Sequence, residues 1–157
     1  MSTATFFIRE IPVYGDVVLA PMSGYSDQPY RAICRSLGSA LSYTEFVTAA
    51  GIVHAFERLE KRLQFTPSER PIVFQIFDCD EDRLVQAAEK ILPLGPDILD
   101  INMGCSVDEV ALHGAGAGLL RDPEKIYRIF SRLTQRLPIP VTGKIRLGWD
   151  DANHNYL

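Results

Sequence analysis

The chain has 157 residues, of which 46% are hydrophobic and 23% charged, and its net charge is −4. That is one domain's worth of material with enough apolar content to bury a core, which excludes a disordered tail or a solvating linker. The negative balance argues against a general nucleic-acid-binding module, so any RNA contact must come from local patches or from further sequence.

Cys34, Cys79 and Cys105 are an odd set without metal-ligand spacing, and His54, His113 and His154 are dispersed. No metal site is expected. Arg9 and Glu10 follow directly on Phe6, Phe7 and Ile8, so no signal-peptide core forms, and no apolar run reaches membrane-spanning length. A reducing cytoplasm with free thiols is the expected setting.

Apolar runs alternate with helical patterns along the chain. Residues 17–22 read as a first strand, followed by a helix that Ser26 or Asp27 caps, with Pro29 in its first turn and Gly38 at its stop. A second strand is expected over 41–47 and a helix over 49–63, whose charged stretch 57–62 faces solvent. The third strand is 72–77, entered through Pro71, and an amphipathic helix over 81–92 is closed by Pro93 and Gly95. A fourth strand covers 98–103, a short helix 107–112, and the glycine run 114–118 is a loop or a tight helix start. Asp122, Pro123 and Glu124 then open a long helix to about Leu137, as a cap, a first-turn proline and an acid facing the helix dipole. The fifth strand is 141–147.

This alternation implies a parallel α/β sheet. Pro21, Met22, Glu45, Gln75, Asn102 to Cys105 and Lys144 to Arg146 all fall at or near the C-terminal ends of expected strands. A TIM (β/α)₈ barrel builds its site there from many strands, whereas an open doubly wound sheet concentrates contacts at one switch point. The barrel is the better fit. Eight units need about 250 residues, so some five units make an incomplete barrel. The chain reaches Asn155, Tyr156 and Leu157 with no helix over the fifth strand. Residues 1–157 are therefore read as the N-terminal portion of a barrel domain.

Within that frame, the turn Asn102-Met103-Gly104-Cys105 presents a thiol at a strand end. Alternation puts Asp100 and Asn102 on one face of their strand, where two polar groups need partners. The alternative for Cys105 is a small buried filler. Thr142, Lys144 and Arg146 share a face of the fifth strand, and two neighbouring cations in a buried strand call for an anionic or polar ligand. An exposed edge strand is the alternative; Pro140 and the apolar neighbours favour burial. Gln75 puts an amide in an apolar strand, suited to a heterocycle edge or to backbone. The glycine run lacks the endings of phosphate-binding loops and points to close packing or to approach of a substrate backbone. His113 reads as a solvated loop residue.

Taken together, Leu19-Ala20-Pro21-Met22-Ser23-Gly24 with Asp27, then Thr44-Glu45-Phe46-Val47 and Gln75, resemble the tRNA-dihydrouridine synthases. So do Asp100 to Cys105, Gly114 to Leu120, and Lys144 to Asp151, in family order over nearly the whole chain. The resemblance implies an FMN-containing barrel followed by a helical tRNA-binding domain, reducing a uridine of tRNA with NADPH as electron donor. It implies that Pro21, Met22 and Ser23 line the flavin, that Gln75 bonds its ring edge, and that Lys144 stabilises the reduced ring. Asn102 and Arg146 would hold the uracil. Hydride would reach C6 from the flavin and a proton would reach C5 from Cys105, since a thiol is mostly protonated at neutral pH. The base must leave its stack to be reached.

The chain departs from the family pattern at Ser106, where proline is usual, and at Gly143, where a β-branched residue is commoner. The family's flavin-phosphate site and helical domain lie beyond the equivalent of Leu157, so weak flavin binding is expected of this portion alone. A different FMN barrel acting on a free pyrimidine, and a catalytically silent remnant, are the competing readings.

Overall fold

A computed structural model describes residues 3–154 and 156; the chain-end expectation for Asn155 and Leu157 lies outside them. It opens with a short antiparallel hairpin of β1 (Phe6–Ile8) and β2 (Ile11–Val13), which the sequence reading did not anticipate. Helix α1 (Gln28–Ser36) follows, with Asp27 as the N-cap accepting from the Tyr30 N–H at 3.1 Å. A parallel sheet is then built from β3 (Ser42–Tyr43), β4 (Val47–Thr48), β5 (Ile72–Phe77), β6 (Ile98–Met103) and β7 (Val141–Ile145). Helices α2 (Ala49–Ala55), α3 (Glu81–Ile91), α4 (Asp108–Ala111) and α5 (Pro123–Arg136) lie between its strands. No helix among the described residues is long and apolar enough to cross a membrane.

Alternation decides which face of the sheet is which. Ile72, Phe74 and Ile76 of β5 and Leu99, Ile101 and Met103 of β6 join one apolar cluster with Ile52 of α2, Leu84 and Ile91 of α3, and Ile129 and Leu133 of α5. Consecutive helices pack on one another, α2 on α3 and α3 on α5. All three crossover helices therefore cover the same face. A doubly wound sheet would place helices on both, so this is the singly wound arrangement of a partial barrel. The opposite face carries Gln75, Asp100, Asn102 and Thr142.

Two expectations need correction. Residues 17–22 form no strand: the Val17 carbonyl accepts from the Ala40 N–H at 2.8 Å and the Leu19 N–H donates to Ser39 Oγ at 3.1 Å, so a loop takes up their backbone groups. The sheet accordingly has four positions and not five, because β3 and β4 both pair with β5. Nor is β7 buried. It is the outer strand of the described sheet, and Gly143, Lys144, Ile145 and Arg146 are exposed.

The expected helix over 49–63 is α2 and then two 3₁₀ turns, Phe56–Arg58 and Glu60–Leu63. The glycine run leads into another 3₁₀ turn, Gly116–Arg121. On the outside, Arg128, Arg132 and Arg136, four residues apart on one stripe of α5, pair with Glu81, Asp82 and Glu89 of α3. Exposed pairs of this kind contribute little stability and mainly set register.

Gly143 has a packing role. A Cβ there would stand 2.4 Å from Met103 Cε and 2.8 Å from Phe130 Cζ, so any side chain at this position must push aside the ends of Met103 and of Phe130 on α5. Gly143→Val should therefore lower stability by roughly 1–3 kcal/mol through overpacking, read as a lower urea midpoint; an unchanged midpoint would contradict this contact.

Candidate active site

The inner face of β5, β6 and β7 carries one continuous hydrogen-bond network. Register sets Gln75 beside Asp100, Asp100 beside Thr142, and Asn102 beside Lys144. Gln75 Nε2 donates to Asp100 Oδ2 at 2.6 Å, and Thr142 Oγ1 donates to Asp100 Oδ1 at 2.6 Å. Asn102 Nδ2 donates to Gln75 Oε1 at 3.1 Å. Gln75, Asp100 and Asn102 are 0%, 1% and 6% exposed, so water does not compete for these bonds.

A buried carboxylate is costly, and burial pushes Asp100 above the usual carboxylate range, against the opposing pull of Thr142, Gln75 and Lys144. Burial, and then the charge of Asp100, likewise push Tyr43 up to about 12.

The turn after β6 is anchored to the same network. Asn102 Oδ1 accepts from the Gly104 N–H at 3.0 Å and from the Cys105 N–H at 2.9 Å. The half-buried Cys105 is clasped from the other side, where its carbonyl accepts from the Ala117 N–H at 2.8 Å. Gly116 makes that approach possible. Its φ is +54°, and a Cβ would stand 2.6 Å from the Cys105 carbonyl oxygen. The glycine run is thus a buttress for the cysteine turn, which agrees with the close-packing reading. His113 is exposed, its Nδ1 beside the Glu109 carbonyl at 3.0 Å.

The loop bearing Pro21, Met22 and Ser23 is held separately. Ser26 Oγ accepts from the Met22 N–H at 2.9 Å and lies 3.0 Å from the Met22 carbonyl. Gly24, with φ +80°, donates its N–H to Glu45 Oε2 at 2.5 Å. Glu45 reaches the loop from a bulge: Val47 lies four positions after Tyr43, but its partner Ile76 lies only three after Val73. Below the loop, Arg31 and Glu69 form a buried ion pair at 2.8 Å. Arg31 also donates to the carbonyls of Ser26 and Gln64, and Glu69 accepts from the Thr66 N–H.

The structure therefore brings Gln75, Asn102 and Cys105 into one bonded unit with Lys144 on the adjacent strand. Among the described residues, no hydrogen bond joins the Pro21–Ser23 loop to that unit. Lys144 and Arg146 are solvent-facing cations at the outer strand. Sequence reasoning missed Arg31 and Glu69 as supports, since a charge on a helix usually faces water. It noted Glu45 only as a strand-end polar group, and a bulge leaves no composition signal. Trp149 packs against the main core, with the Arg121 guanidinium 5.0 Å from its ring centre.

The chemistry offered is directional. The amide nitrogens of Gln75 and Asn102 each spend one N–H inside the network, and both lone pairs of Asn102 Oδ1 are used. What remains on the slightly exposed Asn102 nitrogen is an N–H donor, suited to a carbonyl oxygen of a flat heterocycle, whereas Gln75 is fully covered.

A sequence model described as dihydrouridine synthase (Dus) matches residues 18–157. The chain belongs to that family. A Synechocystis protein named probable tRNA-dihydrouridine synthase 1 is 37% identical over 149 residues, covering 94% of this chain and 42% of that protein. A tRNA-dihydrouridine synthase B of Pasteurella multocida is 37% identical over 141 residues, with 90% and 42% covered. A probable tRNA-dihydrouridine synthase of Aquifex aeolicus is 37% identical over 140 residues, with 87% and 44% covered. This dihydrouridine synthase family chain thus spans less than half the length of these relatives.

The raised affinity of Asp100 for its proton has a stability consequence. Such a group contributes stability below the unfolded carboxylate pKa and loses it as pH rises through its raised folded value. In Asp100→Asn the amide oxygen can accept from Gln75 while its N–H donates to Thr142 Oγ1, so the network survives without the titration. Stability relative to Asp100→Asn should therefore fall as pH rises above the ordinary carboxylate pKa of about 4, by urea titration at each pH. A constant or rising difference would show that Asp100 is not held protonated more readily in the folded chain.

Proposed function

We propose that this chain carries the acid-bearing part of a tRNA-dihydrouridine synthase site, reducing the C5=C6 bond of a uridine in tRNA. The observation that carries the reading is Cys105, whose backbone is clasped just past the C-terminal end of β6 beside the Asn102 amide, which keeps a free donor. Uracil presents two carbonyl oxygens, one of which the remaining Asn102 N–H can meet, while the exposed Arg146 guanidinium is free to reach the other or a phosphate. Cys105 then gives its proton to C5, a role that needs a thiol in its neutral form and a fixed position. The names of the relatives specify tRNA, and the same substrate is proposed here.

The donor set also fits the ring of FMN. Gln75, fully covered in this structure, would meet its carbonyl edge once uncovered, Lys144 would stand near the ring positions that become anionic, and Pro21, Met22 and Ser23 would line it. FMN, with NADPH as electron donor, supplies the hydride chemistry that the side chains lack. The residues here bind, orient and donate the proton. The cytoplasm is the proposed setting, in keeping with three free thiols.

Deleting the gene should remove dihydrouridine from at least one tRNA position, measured by mass spectrometry of tRNA fragments. The wild-type gene should restore it and Cys105→Ala should not. Unchanged dihydrouridine at every position in the deletion strain would sink the synthase reading; full restoration by Cys105→Ala would remove Cys105 as the acid.

A further inference from the structure

We propose that Asp100 is a positioning residue, which orients the amides of Gln75 and Asn102 and through them holds the Cys105 turn in place. The inference rests on the reading of Cys105 as the acid and adds to it a support that touches neither the thiol nor a ligand.

The reasoning is one of hydrogen-bond polarity. An ionised Asp100 accepts and does not donate, and a neutral one can carry its proton on Oδ1 toward Thr142 Oγ1, so in either form Oδ2 accepts from Gln75 and draws Nε2 toward it. Its Oε1 then faces β6, where it can only be met by the nitrogen end of the Asn102 amide. Asn102 Oδ1 is thereby aimed at the turn, where the N–H groups of Gly104 and Cys105 can only donate. An acceptor at one end and two donors at the other impose the same direction on both amides. A flipped Gln75 would set oxygen against Asp100 and nitrogen against nitrogen, inside a site with no water to repair it. Thr142 holds the second Asp100 oxygen from β7, so the carboxylate cannot rotate away without losing that bond. The relay runs from β7 through β6 to β5 and back to the end of β6.

The test uses the purified chain and iodoacetamide, with the alkylation rates of Cys34, Cys79 and Cys105 read separately by peptide mass spectrometry. Asp100→Leu leaves Gln75 without its acceptor and should speed alkylation of Cys105 by about fivefold, the effect of about 1 kcal/mol on a local opening. Cys34 and Cys79 should keep their wild-type rates. A substitution that merely weakens the fold would speed all three thiols in step. Asp100→Asn, which can still accept from Gln75, should return Cys105 to the wild-type rate.

A wild-type Cys105 rate in Asp100→Leu, a parallel rise at all three thiols, or an equal rise in Asp100→Asn overturns the proposal. Should Asp100→Leu not fold, Gln75→Met breaks the middle of the same relay. Selective acceleration at Cys105 then supports it, and parallel or absent acceleration overturns it. Alkylation does not require turnover, so this result stands apart from the dihydrouridine measurement on Cys105→Ala.

Discussion

The buried carboxylate of Asp100 is the constraint around which the inner face of this chain is arranged. It sits on the middle strand of three, 1% exposed, and takes a hydrogen bond from each neighbour at 2.6 Å. A charge so placed is unfavourable unless its oxygens are satisfied, which makes the register of β5, β6 and β7 mutually dependent. A slip of one residue in either outer strand would turn Gln75 or Thr142 to the helix face and leave Asp100 unpaired. The apolar helix face alone would bind the strands together; the polar face specifies how they align.

A second buried charge serves the other half of the site. Arg31 lies on α1, whose outward residues Tyr30 and Ile33 are exposed, so this helix turns a cation inward and apolar groups outward. The arrangement makes sense only with its partners: Glu69 at 2.8 Å and the carbonyls of Ser26 and Gln64. Removing one partner from such a group costs far more than the intact pair contributes, because the charge left behind cannot be rehydrated. The pair thereby ties α1 and the Thr66–Glu69 turn to the loop that carries Met22 and Ser23. Glu45 supplies the third tie, through the Gly24 N–H. Loops gain a defined position when buried acceptors meet their backbone donors.

Much of this was legible in the sequence. Strands 72–77 and 98–103 coincide with β5 and β6, because each is a short, mainly apolar run between turn residues. The helix opened by Asp122 and Pro123 is α5, with the Asp122 side chain accepting from the Lys125 N–H as a cap should. Of the four polar inner-face groups, Asp100 and Asn102 were legible as a pair, since alternation alone puts them together. The first strand failed because residues 17–22 are apolar enough for a strand but find no parallel partner, and their backbone groups bond to the 39–40 loop instead. Burial of Lys144 failed for a related reason: a strand's neighbours in sequence do not reveal whether it lies inside a sheet or at its edge.

By itself, the order of residues determined the α/β alternation, the face on which Asp100 and Asn102 lie, the turn that presents Cys105, and membership of the dihydrouridine synthase family. These follow from local periodicity and from short motifs, each confined to one strand or turn. Only the tertiary structure decided that Gln75 bonds to Asp100, that Arg31 bonds to Glu69, and that Gly116 and Gly143 yield space to Cys105 and Phe130. Those facts depend on register and on close approach between distant segments. No local pattern encodes them, because each was settled by which buried polar groups could satisfy one another, and which groups needed room, once the strands had paired.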